Sequence, residues 1–108
     1  MKKNQANRGG DKRLMYIENR TTDIDGHRAR IGWVTFSNSG LSIYYRGRTL
    51  ARSKGQGISS NYYDADTGEE YWVSGLKRRG SNSHPNEKRI AIHVDEDARS
   101  EYESSAGT

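Results

Sequence analysis

A tyrosine flanked by two arginines is the densest chemical signal in this chain, in the run Leu41-Ser42-Ile43-Tyr44-Tyr45-Arg46-Gly47-Arg48-Thr49-Leu50. On one extended strand, successive side chains alternate between faces. Leu41, Ile43, Tyr45 and Thr49 then point inward, while Tyr44, Arg46 and Arg48 share the outward face. An aromatic ring beside two guanidinium groups stacks a base and binds phosphates at once, as sheet surfaces do for single-stranded nucleic acid. Exposed Tyr and Arg are also ordinary strand-surface residues, so a plain solvated face competes with the site. Lys77, Arg78 and Arg79 add a cationic loop that Arg52 and Lys54 extend. Loops of this composition contact phosphate backbones and are as often simply solvated.

A second constellation points to a different partner. Asn61-Tyr62-Tyr63 and Tyr71-Trp72-Val73 flank the turn Asp64-Ala65-Asp66-Thr67-Gly68-Glu69-Glu70, where Gly68 suits the positive φ of a type I turn plus bulge. With Ala65 opposite Glu69, Tyr63 faces Tyr71 and Tyr62 faces Trp72. Asn61, Tyr63, Tyr71 and Val73 then form the core face. Tyr62, Asp64, Glu70 and Trp72 form the other, where aromatics framed by carboxylates suit a cationic side chain. Together with Trp33, this face is the candidate surface for a protein partner or a second copy. A small second core under a covering segment explains the same aromatics.

Other motifs are weaker. Gly55-Gln56-Gly57 opens like a phosphate loop but lacks the third glycine, with Ser60 in its place, and no βαβ pattern surrounds it. The acidic turn at 64–70 lacks the glycine position and distal glutamate of a calcium loop. His27, His84 and His93 show no zinc spacing, and no nucleophile, base and acid are linked. A metal-independent ribonuclease needs only a base, an acid and phosphate clamps, which His84 or His93 with arginines could supply, but no spacing favours it. The expectation is therefore a binding protein and not an enzyme, with no metal and no cofactor.

The elements that must hold these residues are short. Runs rich in β-branched and aromatic residues near 13–18, 29–36, 41–50, 59–64, 70–74 and 89–94 alternate with Gly, Asn, Asp and Ser clusters, the pattern of a strand meander. Ser37-Asn38-Ser39-Gly40 reads as a tight turn between two of them. The chain has 108 residues, is 31% hydrophobic and 30% charged, and so has one domain with a thin core. Residues 1–12 read as a flexible basic arm, 13–94 as a single β domain, and 95–108 as an acidic, partly disordered segment with one helical turn near 97–102. The two tails cancel in charge, leaving the middle with the formal net +4, a field that favours polyanions without naming one. With no cysteine, no apolar run of membrane length and no apolar stretch at the start, a reducing, cytoplasmic setting is expected. A mainly β fold follows, a small antiparallel barrel or strongly curved sheet of five or six strands, SH3-like as first choice.

The segments ARIGWVTFSNSGLSIYYRGR (29–48), NYYDADTGEEYWVSG (61–75) and HVDEDA (93–98) resemble a family of small bacterial proteins. Some members carry the label deoxyxylulose-phosphate synthase, a thiamine-dependent enzyme several times longer than this chain. The resemblance brings no assigned activity and no functional residue, and implies only a bacterial, intracellular origin. Two readings remain: nucleic-acid binding through Tyr44, Arg46, Arg48, Lys77, Arg78 and Arg79, or protein binding through Trp33, Tyr62, Trp72 and Glu70.

Overall fold

Tight turns with left-handed residues join the strands of this chain into an antiparallel meander. The computed structural model describes residues 11–53, 60–76 and 91–106. Its strands are β1 (Lys12–Asn19), β2 (Ala29–Phe36), β3 (Ser42–Tyr45), β4 (Arg48–Arg52), β5 (Tyr62–Asp64), β6 (Glu70–Gly75) and β7 (Ile92–Val94). A 3-10 turn at Glu96–Ala98 leads into helix α1 (Arg99–Ala106). β1 to β6 pair in sequence order, each antiparallel to the next, and β6 pairs back onto β1, which closes a six-stranded barrel. β7 is the added strand and lies parallel to the start of β2.

The run at 41–50 is not one strand. Arg46 and Gly47 take φ of 47° and 79°, and two consecutive residues with positive φ make the hairpin turn whose twist matches the flanking strands. Ile43 pairs with Leu50 and Tyr45 with Arg48, while Tyr44 pairs with Thr49. The turn reverses the chain, so parity counted along a single strand fails beyond Tyr45. Thr49 lies outside with Tyr44, Arg48 lies on the inner side at the rim, and Leu41 is exposed rather than buried.

The second hairpin differs by one residue. Gly68 has φ 81° as expected, but the loop closes between Asp64 and Glu69, with Asp64 N–H donating to Glu69 O at 2.8 Å. Tyr62 therefore faces Tyr71, and Tyr63 faces Glu70. A slip of one position moves every side chain to the other face. Tyr62 and Asp64 turn inward with Tyr71 and Val73, and Tyr63 turns outward.

Inside the barrel Ile17, Ile24, Val34, Ile43, Leu50 and Val73 pack with Tyr45, Tyr62 and Tyr71. Tyrosine suits an apolar-poor chain, because its ring supplies buried area while its hydroxyl reaches the polar rim. Asn19 serves that rim. Its Nδ2 donates to Tyr71 Oη at 3.3 Å and to Glu69 Oε1 at 3.2 Å, and its Oδ1 accepts from Thr21 and Thr22 N–H. A second cluster lies outside, where Tyr16, Ala29 and Ile31 pack with Leu14, Trp72, Leu76, Val94 and Tyr102. The acidic segment therefore packs on the barrel, and Asp95 and Ala98 are buried.

Gly47→Val should lower stability by about 1 kcal/mol or more, because a β-branched residue resists the positive φ of the turn. Urea denaturation monitored by tryptophan fluorescence measures this. An unchanged midpoint would refute the two-residue turn.

Candidate functional site

Charged side chains gather at the barrel end formed by the turns after β1, β3 and β5. Asp25 and Gly26 make a two-residue turn with φ of 49° and 95°, closed by mutual backbone hydrogen bonds between Ile24 and His27. Ile24 plugs the interior from this turn, fully buried, while Asp25 projects at the rim. There its carboxylate accepts from Arg46 Nε at 2.8 Å and from Arg48 Nη2 at 3.0 Å. Those hydrogen bonds, Arg48's first and Arg46's second, hold the Asp25 carboxyl far below the usual carboxylate range.

Deeper, Arg30 projects from the inner face of β2 and is 5% exposed. Its Nε donates to Ile24 O, its Nη2 to Asp25 O and its Nη1 to Asp95 Oδ1, each at 2.8 Å. Asp95, 4% exposed, follows β7 directly, and its N–H donates to Ile31 O at 2.9 Å. Its second oxygen accepts from Tyr45 Oη at 2.5 Å. Burial, then the hydrogen bond to Asp95, pushes the Tyr45 phenol well above its usual range, so it stays a donor. Gly32 makes the approach possible, because a Cβ there would sit 2.2 Å from Asp95 Oδ2. The arrangement is a carboxylate receptor built from an arginine, a phenol and a glycine.

His93 leaves β7 on the same side as Asp95 and stacks on His27, ring centroids 4.2 Å apart. Among the described residues, no group of three or more acidic or histidine side chains is placed to hold a metal ion.

The residues singled out in the sequence are dispersed. Tyr44 is exposed on the outer face of β3, but Arg46 lies in the turn and Arg48 at the rim, both bonded to Asp25, so the three do not form one platform. Lys77, Arg78 and Arg79 lie outside the described residues. Tyr62 is buried inside the barrel, whereas Trp72 packs in the outer cluster. Trp33 is half-buried, its Nε1 donating to Asp97 O at 3.1 Å. Glu70 keeps an exposed outer position, opposite Tyr63 and not beside Tyr62. Asp25, Arg30 and Asp95 were missed. The Asp25-Gly26 pair is a strong turn signal, but nothing local marks Asp95 as a partner of Arg30.

The two aspartates should behave differently. Asp25→Ala breaks a solvent-exposed pair and costs less than about 1 kcal/mol. Asp95→Ala breaks a buried one and costs about 3 kcal/mol or more, because the Arg30 charge stays buried without that partner. Equal effects in urea denaturation would contradict this geometry.

pH provides a second test. Burial first, then the neighbouring His27 and Arg30, lowers the His93 imidazole, with Arg99 acting the same way and Asp95 opposing. The unfolded chain binds that proton at the ordinary value of about 6.5, so stability is complete above it and declines as pH falls below it. The melting temperature should drop between about pH 7.5 and about pH 5.5, and by less in His93→Gln. An equal drop in both would remove His93 from this role.

No helix among the described residues is long and apolar enough to cross a membrane. Comparison with protein-family models, with curated proteins and with solved structures finds no match to this chain.

Proposed function

We propose that the barrel is a non-enzymatic protein-binding module whose contact surface is the outer face of β3, β4 and β5. The observation that carries this reading is the exposure of Tyr44 and Tyr63, 45% and 42%, on a single face. Thr49 and Ala51 lie between them on β4, opposite Tyr44 and Tyr63 respectively. Small residues between two aromatics leave a shallow floor. The outer side of β1, β2 and β6 is covered by the second cluster, whereas this side keeps its large rings open to solvent.

Rigid aromatics of this kind are the anchors of protein interfaces. Glu70, directly across from Tyr63, adds a negative rim. Aromatic faces beside a carboxylate favour a partner segment that presents Arg or Lys next to an apolar residue. The nucleic-acid reading keeps Tyr44 as a stacking surface and the chain's net positive charge as its support. Against it, a phosphate at Arg46 or Arg48 would have to compete with Asp25 for the same donors.

Selection from a random peptide library displayed on phage tests the choice. Enriched peptides should carry Arg or Lys beside an apolar residue, and Tyr63→Ala or Tyr44→Ala should weaken their binding by about 1–2 kcal/mol each. Labelled single-stranded RNA in a salt series is the counter-test. Binding to RNA that Tyr44→Ala abolishes, with no peptide enriched, would transfer the surface to nucleic acid.

A further inference from the structure

We propose that β7 and Asp95 are a detachable ligand for a groove along β2, and that the same groove accepts the β7 and Asp95 of a second copy of this chain. The groove is distinct from the Tyr44 and Tyr63 face. It lies where β2 changes neighbours: Ala29, Arg30 and Ile31 pair with Ile92, His93 and Val94, whereas Thr35 and Phe36 pair with β3. Gly32 falls in the gap, and the Asp95 carboxylate fills it.

Three observations make this a receptor and not merely a packed strand. First, the groove is shaped without β7. Arg30 is oriented by Ile24 O and Asp25 O as well as by Asp95, and Tyr45 belongs to β3. Removing the aspartate leaves two of the guanidinium's three anchors in place, so the carboxylate position stays organised. Second, the occupant reads as a short recognition motif. Val94 packs in the outer cluster while Ile92 on the same face stays exposed, and Asp95 reaches inward to the charge receptor. Backbone pairing with alternate side-chain pockets is the way an extended segment adds to a sheet. Third, the strand spans only Ile92–Val94 and is the one parallel pairing among the described strands, and parallel pairs hold slightly less per residue.

A second copy is the occupant whose fit is already on display, because its segment would make every contact that the chain makes with itself. The docking free energy then cancels between the two arrangements. The balance is set by the effective concentration of the tethered segment against the concentration of other copies. β6 ends at Gly75 and β7 begins at Ile92, and an intervening chain of this length spans roughly 50 Å when extended. Flexible linkers of such length set effective concentrations in the mM range. Exchange between copies makes a symmetric dimer with no new interface chemistry.

The chain has no cysteine, so single thiols report cleanly. Full-length Ala29→Cys and full-length Ile92→Cys, which sit opposite each other in register, would be mixed at about 1 mM under mild oxidation. The expected product is a mixed disulfide dimer in clear excess over both same-site dimers. Gly32→Ala in the Ala29→Cys chain, or Asp95→Asn in the Ile92→Cys chain, should reduce it at least ~10-fold. A single chain carrying both cysteines should close on itself when dilute, which fixes the register independently of exchange. Closure within one chain but no mixed dimer at high concentration would overturn the proposal. So would a mixed dimer indifferent to Gly32→Ala and Asp95→Asn, and so would failure of the double-cysteine chain to close.

Discussion

The Asp95 carboxylate, held by Arg30 and Tyr45 over a bare glycine, ties the C-terminal segment to the barrel. A buried ion pair is a weak source of net stability, since desolvation offsets most of the attraction. Its contribution is to place the segment that carries Asp95, because each group is hydrogen-bonded where it stands. Here Arg30 uses two further donors on the backbone of the turn after β1, and Asp95 turns its second oxygen to Tyr45. One contact thus ties together the β1 to β2 turn, the β3 strand and the chain's acidic end.

The consequences extend outward. With Asp95 in place, Val94 lies against the outer cluster, the 3-10 turn brings Asp97 O to Trp33, and Tyr102 of α1 joins the cover over Tyr16 and Ile31. Covering that side uses the large aromatics Trp33 and Trp72 for structure. Among the described residues the opposite side has no such segment, and its Tyr44 and Tyr63 are exposed. Division of the barrel's outside into a covered half and a bare half is what gives the proposed binding face its location.

Much of this was legible in the residues, and what was not has a definite physical cause. The alternation of β-rich runs with turn residues announces a closed meander, and the strand at 29–36 is found at those bounds. Register was not legible, because one loop residue more or less reverses both faces of a strand. That is why Tyr62 and Tyr63 exchange roles. Arg46-Gly47 hid a turn inside an apparently continuous strand, since a non-glycine residue at positive φ leaves little mark in composition. Asp95 lay in an acidic run that reads as a solvated tail, and only the distant pairing of β7 with β2 brings it to Arg30. Charge counted along the chain likewise overstated the free cations. Arg46 and Arg48 are matched by Asp25, a residue far from them in sequence.

Hydrogen exchange followed residue by residue in the wild type and in Asp95→Asn tests the central role of this aspartate most directly. The amide of residue 95, which donates to Ile31 O, should be protected in the wild type. In the variant, protection at residues 94–98 should fall together, while the amides that pair β1 with β2 and β6 keep theirs, the signature of one segment lifting from an intact barrel. Uniform loss across barrel and segment, or unchanged protection at residues 94–98, would contradict the account.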